Sequence, residues 1–320
     1  MPAEEFHPAS ATPRTLLLGP QRFKQTATAA LRSLDTDGPV AVINSGWEER
    51  EDEVSELDTA LDGRAHHLRL YHRMLDVLEK DRRFAASALA FRDRHERLLS
   101  IYRLRLQYAL DGAYAVQRRL LADGDDTAYG ALDDAIEVVR HVDDWYLARL
   151  GALYDDGDLV ERAATSGVIG WHRGEIEAAL AAAAAVVLPG GNVGTLLRTL
   201  RLFSIDPAPG LPVIAWSAGA MALTEEVVLF HDHGPQGASE TELFDRGLAR
   251  VSGVVALPHA RTRLRLEDKP RSAILARRFG DRHCLLLDEG VILDVTADGG
   301  LPGGSRVLGV DGAIHELRRA

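Results

Sequence analysis

The 320-residue sequence contains one cysteine, Cys284. A lone thiol excludes an intrachain disulfide and fits a reducing compartment. Positive charge is also short. Thirty-seven Lys and Arg stand against 48 Asp and Glu, a net charge of −11, which argues against nucleic acid or an anionic membrane as the partner. Long apolar runs are missing. The longest, residues 178–189, is alanine-rich and too short to span a bilayer. Residues 1–13 are polar, without the apolar centre of a secretory signal. These absences predict a cytoplasmic protein. Proline is absent between residues 73 and 164, which leaves that stretch free to form long helices.

What is present alternates. Apolar runs at 15–18, 40–43 and 65–71 read as strands, and 23–34 and 48–61 carry helical periodicity. Strand, helix, strand, helix, strand predicts a parallel sheet with helices on both faces. The pattern breaks over 73–164. There Leu98, Tyr102, Leu106, Leu110 and Tyr114 recur four apart, and Leu132, Ile136, Val139, Leu147, Leu150 and Tyr154 mark a second stripe. Two or more amphipathic helices broken near 123–126 follow from this. The stretch reads as a helical hairpin packed on the domain, with a partner surface or an active-site cover as alternatives. Alternation resumes with a helix at 176–183, a strand at 184–188 and a helix at 195–200. Further strands are expected at 227–230, 253–257, 284–287, 291–295 and 307–310. The whole, residues 1–320, reads as one α/β domain, doubly wound and mostly parallel, with 73–164 inserted in it.

The chemistry concentrates where the run Val213-Ile214-Ala215-Trp216 meets Ser217-Ala218-Gly219-Ala220. A buried strand turning sharply into a helix lifts a serine hydroxyl clear of the sheet and sets free backbone N–H groups beside it. An ordinary turn with serine as N-cap gives the same local pattern. Pro189-Gly190-Gly191-Asn192 joins another strand to a helix. It lacks G-x-G-x-x-G and a P-loop lysine, so a second oxyanion donor is a better reading than a phosphate cradle. His259 follows the strand at 253–257, at the edge where open α/β sheets bind ligands. A metal set of His231, Asp232, His233 and His259 is a weaker alternative, because no E-x-x-H or cysteine ligand supports it. No cofactor is expected.

These motifs resemble the dipeptidase E and cyanophycinase family of serine peptidases, which share the class I glutamine amidotransferase-like, flavodoxin-like fold. The resemblance lies in Val187-Leu188-Pro189-Gly190-Gly191-Asn192, in the W-S-A-G-A stretch around Ser217, and in His259 followed by Arg263 and Arg265. It implies a Ser217–His259–Asp232 triad, because in dipeptidase E-like members the acid follows the serine by fifteen residues. Glu225 and Glu226 are the fallback acids. The oxyanion hole would come from Gly191 and Ala218, and Gly190, Asn192, Arg263 and Arg265 would contact substrate. Arg261, Arg263 and Arg265 share one side if the segment is extended, and could fork onto a carboxylate. The implied activity is hydrolysis of short peptides or small amides, with an acidic preference. Ser217 in place of cysteine argues against glutamine hydrolysis. The spacing of 42 residues between Ser217 and His259 is too compact for an ordinary α/β-hydrolase. The non-enzymatic alternative is a silent scaffold whose insertion binds a protein. The 73–164 stretch has no counterpart in the family, and a homodimer is left open.

Overall fold

The computed structural model describes residues 13–123, 126–155, 157–206, 210–232 and 240–318. The chain opens as β1 (Thr15–Leu18), α1 (Ala27–Ser33), β2 (Val40–Val42), a 3-10 segment (Ser45–Arg50), α2 (Ser55–Ala60) and β3 (Ala65–His67). Five helices follow without a strand: α3 (Leu70–Lys80), α4 (Arg82–Asp123), α5 (Asp126–Tyr154), α6 (Gly157–Thr165) and α7 (Gly167–Ala181). Then come β4 (Ala185–Leu188), α8 (Val193–Leu202), β5 (Val213–Trp216), α9 (Ala218–Leu223), β6 (Glu226–Leu229) and β7 (Glu242–Arg246). The chain closes with β8 (Val254–Pro258), α10 (Ala260–Arg263), α11 (Lys269–Arg278), β9 (His283–Leu287), β10 (Ile292–Val295), β11 (Arg306–Leu308) and β12 (Ile314–Glu316).

The protein is mixed α/β with a largely parallel main sheet. Its order is β10-β1-β5-β4-β2-β3, and only β10 runs antiparallel, against β1. In β1, β4 and β5 every side chain is buried, as a sheet covered on both faces requires. Alternation divides those side chains between two cores. Leu17, Ala41, Val186 and Ala215 face one, with α7, α8 and α9, while Leu16, Val40, Val187 and Ile214 face the other, with α1 and α2. The order reverses at β2, which has β3 on one side and the later β4 on the other. Loops leaving the C-terminal ends of strands at such a point form a crevice, here between the exits of β2, β4 and β5.

A second sheet, β12-β11-β9-β8, is parallel only between β8 and β9. Its faces are also divided. Val254, Ala256, Leu285 and Leu287 join the main core, whereas Val255, Leu257, Cys284 and Leu286 join a separate core made with α4 and α5. The proline-free stretch thus contains, between α3 and α6, a long antiparallel hairpin of 42- and 29-residue helices, whose inner face covers the second sheet. Tyr102, Leu106 and Leu110 from α4 meet Ile136, Tyr146 and Leu150 from α5, with Tyr102 and Tyr146 stacked at 4.2 Å. Arg278 of α11 fastens this core. Its fully buried guanidinium donates to Asp143 at 2.5 and 2.6 Å, to the Tyr102 hydroxyl at 2.9 Å and to the Thr241 carbonyl at 2.6 Å. Among the described residues no helix is long and apolar enough to cross a membrane.

Candidate active site

Ser217 follows the last residue of β5 and takes φ 51°, ψ −120°, a conformation that costs a non-glycine residue of order 1–3 kcal/mol and persists only where its surroundings impose it. Gly219 is one such constraint. A Cβ there would lie 2.0 Å from the Leu188 carbonyl oxygen, so glycine alone lets α9 pack against the exit of β4. The strained corner turns the hydroxyl toward His259, and Ser217 Oγ stands 3.0 Å from His259 Nε2.

The imidazole arrives from the second sheet. His259 sits one residue past β8 at φ 58°, ψ 28°, with its N–H donating to the Leu287 carbonyl at 3.2 Å. Its own carbonyl accepts the N–H groups of Thr262 and Arg263, both at 3.0 Å, which starts α10. Burial and the Arg263 guanidinium hold the His259 pKa below its ordinary value, opposed by the negative field of Asp288. The ring is therefore neutral near pH 7 and able to accept a proton.

The glycine turn lies against the serine. A Cβ on Gly190 would approach Ser217 Cβ to 2.9 Å. Gly191, at φ +118°, backs onto Gly46, where a side chain would meet the carbonyl oxygen at 2.3 Å. The Asn192 N–H donates to that same Gly46 carbonyl at 2.7 Å. Asn192 Oδ1 caps α8 by accepting from Thr195 N at 3.1 Å, so its oxygen serves the helix. Neither the Gly191 nor the Ala218 N–H donates to an acceptor among the described residues. Unengaged donors beside a nucleophile are what an oxyanion needs.

The expected acid is placed differently. Asp232 is buried, but its carboxylate accepts from Arg271 at 2.8 and 3.0 Å and from the Arg265 N–H at 2.9 Å. Its own N–H donates to the Arg263 carbonyl at 2.7 Å. It thus braces the turn that follows His259 and makes no hydrogen bond to the imidazole. Glu225 is also engaged, accepting the Gly253 N–H at 2.9 Å, and Glu226 is paired with Arg282. Among the described residues the imidazole's hydrogen bond is the one to Ser217. Asp288, whose field His259 feels, is held by Arg306 at 2.8 Å and Arg261 at 3.1 Å.

The arginines are corrected in the same way. The segment after His259 is helical, so alternation does not align Arg261, Arg263 and Arg265. Arg263 borders the cleft at Ser217 and makes no ion pair among the described residues, while Arg265 is exposed away from the cleft lining. The cleft itself, about 1140 Å3, is bordered by Ser217, His259 and the glycine turn. Arg103, Leu106 and Phe244 also border it, and sequence reasoning missed all three. Leu106 had a signal in the four-residue stripe; Phe244, in a mostly charged stretch, had none. Cys284 is buried in β9, where desolvation pushes its thiol up to about 12, far from any nucleophilic role. His233 lies outside the described residues, and among those described no group of three or more His, Cys, Asp or Glu side chains is placed to hold a metal ion. Comparison with protein-family models and with curated proteins finds no match to the chain.

Proposed function

We propose that the protein is a serine hydrolase of short peptides or small amides, built on a class I glutamine amidotransferase-like frame similar to that of dipeptidase E and cyanophycinase. The 3.0 Å contact between Ser217 Oγ and His259 Nε2 carries this reading. In the reaction Ser217 attacks the scissile carbonyl while His259 takes its proton. The C–N bond then breaks as His259 returns the proton to the leaving amine, and water repeats the cycle on the acyl-enzyme. Gly191 and Ala218 N–H groups stabilise the oxyanion. The base works within a dyad, oriented by its backbone turn and by the field of Asp288 rather than by a hydrogen-bonded Asp232. Arg263 supplies a guanidinium for a substrate carboxylate.

The test is covalent. A fluorophosphonate should add one phosphonyl group to Ser217 by intact mass, and Ser217→Ala should abolish labelling and lower peptide hydrolysis by about a thousandfold or more. Because α4 walls the cleft, short peptides should be cut and unfolded casein left intact; rapid internal cleavage of casein would remove the size restriction. A second reading, a silent scaffold, draws on the exposed stripe Ile101, Leu104 and Tyr108 along α4. A folded native chain that neither labels nor hydrolyses would favour it.

A further inference from the structure

The insertion contributes more than a wall. Where α4 crosses the β6–β7 hairpin, Arg103 makes a two-pronged pair with Glu242 at 2.6 and 2.7 Å. Glu240 is held by Arg271 at 3.1 Å and by the Tyr114 hydroxyl at 3.1 Å. Glu242 and Glu240 border the cleft but are matched within the protein, so they offer little to an ionic ligand. Beside them the lining is apolar: Leu106 from α4, Met221 from α9, Leu229 and Phe230 from the end of β6, and Phe244 from β7. Phe244 comes close to the glycine turn. Its ring stands 3.0 Å from where a Cβ on Gly194 would lie, in the first turn of α8. The apolar wall therefore adjoins the loop that carries the oxyanion donor.

We propose that this wall is a side-chain subsite of the Ser217 centre, taking a bulky apolar group, aromatic or branched aliphatic, of the amide or peptide substrate. The inference rests on the serine-hydrolase reading and names its substrate class. Two observations set the chemistry. Five apolar side chains from four elements converge on one cleft, and an apolar group leaving water gains in proportion to the area it buries. Arg103, the cation on this side of the cleft, is already engaged by Glu242, and the Asp111 carboxylate, which also borders the cleft, repels an acidic side chain seated beside it. The acidic preference expected from the arginines is thereby reassigned: Arg263 takes a substrate carboxylate on the His259 side, and the hairpin side takes the apolar group.

Two measurements test this. In the native chain, the rate of Ser217 phosphonylation is compared for methyl and benzyl fluorophosphonates. The benzyl reagent should react at least about tenfold faster, since each methylene in an apolar pocket is worth roughly tenfold or more. Phe244→Ala should shrink that ratio about threefold or more, with the circular dichroism spectrum confirming the fold; Leu229→Asn on the same wall serves where Phe244→Ala does not fold. Separately, Ser217→Ala protein is titrated calorimetrically with N-acetyl amides of glycine, alanine, aspartate, leucine and phenylalanine. Affinity should rise from glycine to phenylalanine and be weakest for aspartate. A flat series, an aspartate preference, or an unchanged benzyl-to-methyl ratio in a folded wall variant overturns the subsite. A binding gradient without any labelling of the native serine supports the subsite and overturns the hydrolase reading instead.

Discussion

At the residue scale, the site turns on which charges reach His259. The proposed catalysis needs its neutral form, and burial with Arg263 lowers its pKa. Activity should therefore be complete at neutral pH and fall only below a midpoint that lies under the ordinary histidine value of about 6.5. Replacing Arg263 by Gln removes a neighbouring cation and should move that acid limb upward, partway toward the ordinary value because the larger cause, burial, remains. A kcat/KM–pH profile of both proteins reads the shift, and an unmoved limb would show that Arg263 does not act on the imidazole. Asp232 gives the contrasting case. An acid that orients the base loses about ten-thousandfold in rate on conversion to asparagine while the fold stands. Asp232→Asn here breaks a buried pair with Arg271 and weakens a bond to Arg265 N. It should cost about 2–3 kcal/mol of stability by denaturant titration and leave the pH midpoint in place. A rate collapse without loss of stability would restore Asp232 to the triad.

At the scale of elements, the hairpin is integral because one face of the β8–β9 sheet has no other cover. Arg278 ties α11 to α4, α5 and the residue preceding β7 through a single guanidinium. Arg278→Met should strand Asp143 as an uncompensated buried carboxylate and destabilise the protein by about 3–5 kcal/mol in urea. A second change, Asp143→Leu, should recover much of that loss, and failure to recover would mean the pair is not isolated in this way. The strands and long helices were legible because their signals are local: period two with both faces apolar, or stripes four apart. Tyr102, Leu106, Leu110, Ile136 and Leu150 are all buried as the stripe predicts. The Ser217 corner and the glycine turn were legible too, since both need small residues in fixed order. Asp232 was not, because its partner Arg271 lies 39 residues away and only packing decides which cation a carboxylate meets. The β7 strand escaped because Glu242-Leu243-Phe244-Asp245-Arg246 is mostly charged. Its Asp245 and Glu242 are explained only by Arg201 and Arg103 from distant helices. The conformation after His259, on which the alignment of the arginines depended, was not legible because a four-residue helix leaves almost no periodic trace.

At the scale of the whole molecule, the proposed nucleophile and its base belong to different sheets. Ser217 leaves β5 in the six-stranded sheet, while His259 leaves β8, whose own hydrogen-bonded neighbour is β9. The 3.0 Å contact spans the seam between them; the described strands on its two sides form no ladder, and backbone bonds cross it beside them, from Val251 N to Leu223 and from Ser252 N to Ala297. Proteins open first where the fewest backbone bonds must break. The hydroxyl–imidazole pair is therefore a gauge of that seam, far more sensitive than secondary structure to its slippage. An opening of a single ångström would break the proposed catalytic pair while leaving every strand paired. In a urea series, hydrolysis should fail at a lower midpoint than far-ultraviolet circular dichroism, and a short-chain product or inhibitor bridging the cleft should draw the two midpoints together. Coincident midpoints without ligand would mean that the two sheets yield as one.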